Sequence, residues 1–278
     1  MNLLQIVVLS VIQGAAELLP VSSSAHVIVA EKIMGLDPTS PQMTLLLVML
    51  HTGTMFAVIA HYLRSWKTTY FSSLQAFRSN AINLVIATAL TGVVGLLLLQ
   101  LLKRLVGHNS PSFEVEHLFA NAPLMAAALA CAGILIIASS RFSERVDGEL
   151  SPRRAAFVGV VQGLCLPFRG FSRSGATIST ALAMGVSRRR AEEFSFALAV
   201  ILTPPIIIRE VLRLATASAE LTPGTLIQAM GPGVLGMVLS FLAGLLALRW
   251  LSRWLEQDRW HIFGGYCLVA AAAVLWIG

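Results

Sequence analysis

The stretch Gln13-Gly14-Ala15-Ala16-Glu17-Leu18-Leu19-Pro20-Val21-Ser22-Ser23-Ser24-Ala25-His26 decides how the chain is read. It lies inside the apolar segment 3–34, yet it holds a carboxylate, a proline, three serines and a histidine. Pro20 lacks a backbone N–H and clashes with the preceding turn, so it ends a first half-helix. The serines after it are good N-caps for a second. The N-terminus of that second half-helix presents free N–H groups and a partial positive charge, which suits an anion. Segment 156–187 repeats the pattern. Val160-Val161-Gln162-Gly163 answers Val11-Ile12-Gln13-Gly14, Pro167 answers Pro20, and Phe171-Ser172-Arg173-Ser174-Gly175 answers Val21-Ser22-Ser23-Ser24-Ala25. Gln13 and Ser23 are ten residues apart, and so are Gln162 and Ser172.

Of the 278 residues, 56% are hydrophobic and 12% charged. Soluble domains carry about 25% charged residues, so the solvent for most of this chain is lipid. Complete spans are predicted at 41–62, 83–103, 121–140, 193–210, 230–249 and 260–277. The expected fold is an all-α polytopic membrane protein of about six transmembrane helices plus two re-entrant broken-helix segments in an inverted-topology repeat. Residues 1–140 form the first repeat and 151–278 the second, each a re-entrant segment followed by three spans, within a single integral membrane domain. Such repeats place their site near the midplane, where the broken helices meet. The N-terminal stretch has no basic region before its apolar run, so a cleaved signal peptide is not expected.

Charge sets the orientation. Counting from the first re-entrant segment, one side receives Arg64, Lys67, Arg78, Arg141, Arg145, Arg153, Arg154, Arg188, Arg189, Arg190, Arg249, Arg253 and Arg259. The other receives Lys32, Lys103, Arg104, Arg209 and Arg213. The basic side is cytoplasmic, which puts both termini on the outer side. The net charge of +6 therefore reads as membrane orientation and not as affinity for nucleic acid. Cys131, Cys165 and Cys267 show neither CxxC nor metal spacing and read as small packing residues.

Several polar residues have no reason to be in apolar sequence unless they work or are paired. Glu17 costs at least about 2.5 kcal/mol in hydrocarbon when unpaired. Gln13 lies four residues earlier, on the same helical face. Glu17 is a metal ligand, an acid/base group or a partner of Arg173. His26 follows the serine run and titrates near neutrality. Arg173, between Ser172 and Ser174, offers a fork that matches phosphate. Arg169 reaches for water or lines the same cavity. His51-Thr52-Gly53-Thr54 reads as helix–helix hydrogen bonding. His108, Glu114, Glu116 and His117 read as a solvated outer loop, and Glu193 as a partner of Arg188-Arg189-Arg190.

Residues 13–26 closely resemble the first signature of the bacterial undecaprenyl-diphosphatase, or bacitracin-resistance, family. Gly170-Phe171-Ser172-Arg173-Ser174-Gly175-Ala176-Thr177-Ile178-Ser179 resembles its second. His51-Thr52-Gly53-Thr54 and Glu193-Phe194-Ser195-Phe196 also look like family positions. The resemblance implies hydrolysis of undecaprenyl diphosphate to the monophosphate at the outer side of the bacterial inner membrane, with magnesium or calcium. It implies a role in recycling the lipid carrier for cell-wall synthesis and in bacitracin resistance. Carried over, Gln13 and Glu17 stand near the metal, and Ser23 and His26 are nucleophile and base in either order. Arg173, Ser172, Ser174 and Thr177 bind the diphosphate, with Ser22, Ser24 and Gly170 beside it. Partners are the lipid substrate and membrane lipid; a homodimer is left open. The chain departs from the family at Arg169, where proline is usual before Gly170, at Ala25 in place of glycine, and at Ile201-Leu202-Thr203-Pro204-Pro205.

Two rival activities frame this expectation. Inverted repeats with broken helices also build transporters, so a prenyl-phosphate flippase is the alternative. A type-2 phosphatidic-acid phosphatase is rejected, because no histidine follows Ser172-Arg173 until His261.

Overall fold

A computed structural model describes residues 1–37, 40–105, 121–142, 148–217 and 223–277. These contain ten helices and no strand. They are α1 (Leu3–Leu18), α2 (Ser23–Ile33), α3 (Pro41–Tyr70), α4 (Leu74–Leu105), α5 (Ala122–Ser139), α6 (Pro152–Cys165), α7 (Arg173–Ala183), α8 (Arg188–Ala217), α9 (Pro223–Glu256) and α10 (Trp260–Ile277). The outer-loop residues His108, Glu114, Glu116 and His117 lie outside the described residues.

Five helices are long and apolar enough to cross a membrane: those containing 42–70, 74–105, 122–139, 230–256 and 260–277. The expected span 193–210 falls in α8, which is not among the five. That helix has 30 residues, but it starts on Arg188-Arg189-Arg190, carries Glu192 and Glu193, and holds Pro204 and Pro205 inside it. Several helices run past the apolar stretch that predicts them. Helix α3 continues through Arg64 and Lys67, and α4 begins before Arg78. Backbone hydrogen bonding does not stop where hydrocarbon does.

Each interrupted segment is a pair of helices. Helix α1 has 16 residues and α2 has 11, while α6 has 14 and α7 has 11. At about 1.5 Å per residue, none is long enough alone for a hydrocarbon core about 30 Å thick. The two breaks differ in a way that the equal spacing of ten residues conceals. Residues 19–22 link α1 to α2, whereas residues 166–172 link α6 to α7. The residue at the N-cap of α2 is Ser22, and that of α7 is Ser172. Ser23 therefore stands where Arg173 stands, first in its helix, and the second link is three residues longer.

The broken helices are held by the long ones. Helix α1 packs along α9 and α6 along α4, while α3 packs along both α8 and α9. Close approach of α1 to α9 and of α6 to α4 demands a missing side chain. A Cβ on Gly14 would sit 2.6 Å from the Ser240 carbonyl oxygen of α9, and one on Gly163 would sit 2.9 Å from the Thr91 carbonyl oxygen of α4. Thr91 Oγ1 in turn donates to the Gly159 carbonyl and accepts from the Gln162 amide. Such small-residue contacts replace the hydrophobic drive that lipid does not supply between helices. Gly14→Ala and Gly163→Ala should each cost about 1–3 kcal/mol by overpacking, measured as a lower thermal midpoint in detergent. Gly92→Ala, whose Cβ meets nothing within 4 Å, should leave the midpoint unchanged or raise it.

Candidate active site

The two breaks meet. Ser174 Oγ donates to the Leu19 carbonyl at 3.4 Å, and the Gly170 N–H donates to Ser24 Oγ at 3.4 Å. Cys267 Sγ of α10 donates to the Pro20 carbonyl at 3.3 Å. The carbonyls released by the first break thus find partners in protein. Ser172 caps α7 by accepting from the Gly175 N–H at 3.2 Å. Ser22 differs from the expectation: it occupies the N-cap position but makes no side-chain cap. Its φ of +67° turns its hydroxyl to Ser24 Oγ, 3.2 Å away. Left-handed backbone at a non-glycine residue is strained, and here it brings Ser23 round to Glu17.

Glu17, near the end of α1, is the centre of the arrangement. Arg173 Nη2 donates to its Oε1 at 2.7 Å. Ser23 Oγ donates to its Oε2 at 2.5 Å, and Gln13 Nε2 donates to the same oxygen at 3.2 Å. His51 Nε2 lies 3.8 Å from Oε2, while its Nδ1 donates to the Leu47 carbonyl at 2.8 Å. Glu17, Ser23, Arg173 and His51 all face one cavity of about 430 Å³, joined by Ser22, Ser24, Ser172, Ser174 and Arg169. Gln13 is buried and reaches this site through Glu17. Thr177 stands behind it: its hydroxyl donates to the Arg173 carbonyl at 2.9 Å and pairs with Ser195 Oγ of α8 at 2.6 Å.

His26 is placed apart from this group. A carbonyl oxygen only accepts, so His26 Nδ1 carries the proton that meets the Ser22 carbonyl at 2.8 Å. Its Nε2 then accepts from the Tyr266 hydroxyl at 2.7 Å, and the two rings stack. Neither ring nitrogen is bonded to Ser23. The serine's hydrogen-bond acceptor is Glu17, a pairing that the alternation of residue types in the sequence does not reveal. Tyr266 is a residue that sequence reasoning missed, and nothing in its local sequence singles it out; Ser195 lies in the Glu193-Phe194-Ser195-Phe196 stretch that resembles the family, with no role given to it there. His51 was read as a helix–helix contact, yet it lines the cavity. Glu193 pairs with Arg189 at 2.9 Å and Arg190 at 3.2 Å, far along α8 from the cavity residue Thr203.

A carboxylate has about four acceptor positions, and Arg173, Ser23 and Gln13 occupy three on Glu17. Among the described residues, no cluster of three or more His, Cys, Asp or Glu side chains could hold a metal. The donor set fits magnesium in one mode only, in which one carboxylate binds the ion and phosphate and water supply the rest. The chemistry available from side chains alone is a hydroxyl with its proton on a carboxylate, beside a guanidinium, in a cavity fed by a helix N-terminus.

Sequence comparisons give this geometry its context. The family described as "Bacitracin resistance protein BacA" matches residues 6–273. A protein named undecaprenyl-diphosphatase 2 from Acinetobacter baylyi is 59% identical over 279 residues, covering 99% of this chain and 98% of that protein. Undecaprenyl-diphosphatase 1 of Burkholderia pseudomallei is 34% identical, covering 97% and 95%. Undecaprenyl-diphosphatase of Korarchaeum cryptofilum is 29% identical, covering 99% of both chains. With a match that runs almost from end to end and takes in both breaks and the cavity they form, the chain belongs to the bacitracin resistance protein BacA family.

Proposed function

We propose that this protein hydrolyses undecaprenyl diphosphate to undecaprenyl phosphate and inorganic phosphate, with Ser23 as nucleophile and Glu17 as its base. The observation that carries the reading is the Ser23–Glu17–Arg173 chain of contacts at 2.5 and 2.7 Å on the cavity wall. The names of relatives along the whole chain point to hydrolysis and not to translocation. The product returns the lipid carrier to cell-wall synthesis, and removal of the diphosphate form accounts for bacitracin resistance.

In the first step Ser23 Oγ attacks the terminal phosphorus while Glu17 takes the hydroxyl proton. The bond from that phosphorus to the bridging oxygen breaks, and undecaprenyl phosphate leaves with the electron pair. Glu17 releases its proton to the water of the cavity. In the second step water attacks the phosphoserine, Glu17 takes a proton from it, and that proton returns to Ser23 Oγ as inorganic phosphate departs. Splitting one transfer into two is the general benefit of a covalent intermediate. Arg173 and the N–H groups at the start of α7 stabilise charge on the transferring phosphoryl. Glu17, with Gln13 behind it, would hold a divalent cation, magnesium or calcium, which would add to the neutralisation of phosphate charge. His26 fixes the Ser22 carbonyl against Tyr266 and so holds the strained turn that aims Ser23.

The membrane arrangement belongs to the same proposal. Helices α1–α2 and α6–α7 are re-entrant pairs, and α3–α5 answers α8–α10 in an inverted repeat, 1–140 and 151–278. The packing of α1 on α9 and of α6 on α4 supports it, since an exchange of halves turns one contact into the other. The basic excess on one side supports a bacterial inner-membrane protein with both termini and the site facing outward.

Purified protein should release phosphate from undecaprenyl diphosphate, and chelator should stop it. Ser23→Ala, Glu17→Gln and Arg173→Ala should each lower kcat by about 10²-fold or more, the scale of losing a transition-state contact. His26→Ala should cost less than Ser23→Ala, and acid quench should trap phosphoserine at Ser23. Full activity in Ser23→Ala would sink the mechanism. For orientation, a cysteine at Asn2 in a cysteine-free background should react with an impermeant maleimide in intact cells. One at Arg64 should react only after permeabilisation; the reverse result overturns the assignment of sides.

A further inference from the structure

The second guanidinium on the cavity wall has no role in the chemistry above. Arg169 lies in the longer of the two links, 166–172, and lines the cavity together with Arg173. The neighbouring Gly170 pins that link to Ser24 at the start of α2. Arg173 is engaged by Glu17 at 2.7 Å, so the pair carries no net charge. A prenyl diphosphate brings two anionic phosphate groups to this cavity, and the start of α7 with Arg173 serves the one beside Ser23. The other phosphate needs its own donor, and a planar guanidinium is the side chain suited to it.

Glu31 is a charge that acts on Arg169. This glutamate of α2 is 3% exposed, and its Oε1 is buried without a hydrogen-bond partner. The Arg169 guanidinium is within electrostatic reach of it. Glu31 does not line the cavity, whereas Arg169 does. Eight residues separate Ser23 from Glu31 along one helix, roughly 12 Å of rise. The attraction of this carboxylate for the Arg169 charge thus acts at a point on α2 removed from the reacting hydroxyl.

We infer that Arg169 is a second phosphate-binding cation of this cavity, positioned by Glu31, and that it takes the phosphate that stays on the lipid and not the one transferred to Ser23. This rests on the phosphatase reading for which phosphate is which. Arg169 is then a specificity-determining residue for lipid diphosphates, and Glu31 a positioning residue that acts through it. The three additional residues of the second link give Arg169 the reach that the four-residue first link would not.

The test measures binding without turnover. In purified Ser23→Ala protein, affinity is measured for undecaprenyl phosphate and for inorganic phosphate, with Arg169→Gln, Arg169→Lys and Glu31→Gln added in turn. Arg169→Gln should weaken undecaprenyl phosphate about tenfold or more, the scale of losing a charge-assisted hydrogen bond, and leave inorganic phosphate unchanged. Arg169→Lys should retain part of the lipid-phosphate affinity. Glu31→Gln should weaken the same ligand by a smaller factor and add nothing once Arg169 is Gln. In the Ser23 parent, Arg169→Gln should raise KM for undecaprenyl diphosphate. Equal weakening of both ligands, or no weakening of undecaprenyl phosphate, overturns the inference. Thermal midpoints in detergent within a few degrees of the parent certify that each variant is folded, and Arg169→Lys decides the matter if Arg169→Gln is not. A wild-type protein that binds undecaprenyl phosphate through Arg169 yet releases no phosphate would refute the phosphatase reading and leave this one standing.

Discussion

The ion pair between Glu17 and Arg173 is the constraint on which the rest of the structure turns. A carboxylate in apolar surroundings is costly unless it is paired and hydrogen-bonded. Glu17 meets that condition only because a second break, more than 150 residues later in the chain, delivers Arg173 to it. Each break on its own would leave either a buried anion or a buried cation. Brought together, they form a neutral pair whose remaining acceptor positions take the Ser23 hydroxyl and the Gln13 amide. The demand to neutralise one charge thus assembles a serine hydroxyl, a carboxylate and a guanidinium in a single contact group.

The same economy governs the backbone. Irregular chain within a membrane survives where its polar groups are satisfied by protein or line a cavity. The Leu19 carbonyl accepts from Ser174, the Pro20 carbonyl from Cys267 and the Ser22 carbonyl from His26. Two elements distant in sequence, α7 and α10, therefore close the first break together with α2. His26 and Cys267 are part of this closure, which gives a histidine and a cysteine in otherwise apolar helices a structural contact.

Much of this was legible in the sequence because lipid is an unforgiving solvent. A proline, three serines and a glutamate inside segment 3–34 have few permitted arrangements, and the answering pattern in 156–187 supplied the partner. The helices, the two breaks and most of the cavity residues follow from that. Distances between side chains did not. His26 lies three residues from Ser23 in sequence, on the next turn of the same helix, and proximity suggested a pair. The positive φ of Ser22 sends the Ser23 hydroxyl to Glu17 instead, and no sequence pattern announces a left-handed serine. Equal spacing of Gln13–Ser23 and Gln162–Ser172 pairs residues that are not equivalent: α6 ends sooner after its glutamine and its link is longer, so the N-cap serines, Ser22 and Ser172, lie one residue apart in register. Span 193–210 was read from hydropathy alone, and the charged start and paired prolines of α8 show how much polar chemistry that run contains.

The difference in register between the halves has a chemical consequence. With Ser22 and Ser172 at the two N-cap positions, Ser23 and Arg173 are each the first residue of a short helix, and both reach the carboxylate of Glu17. One position in the two-helix unit thus supplies a hydroxyl in the first half and a guanidinium in the second. Two copies of the same residue there would fail. Two serines would remove the Arg173 countercharge of Glu17, and two arginines would leave the cavity without the Ser23 hydroxyl. The site needs the halves to resemble each other in backbone, so that the breaks meet, and to differ at this position, so that what meets is complementary.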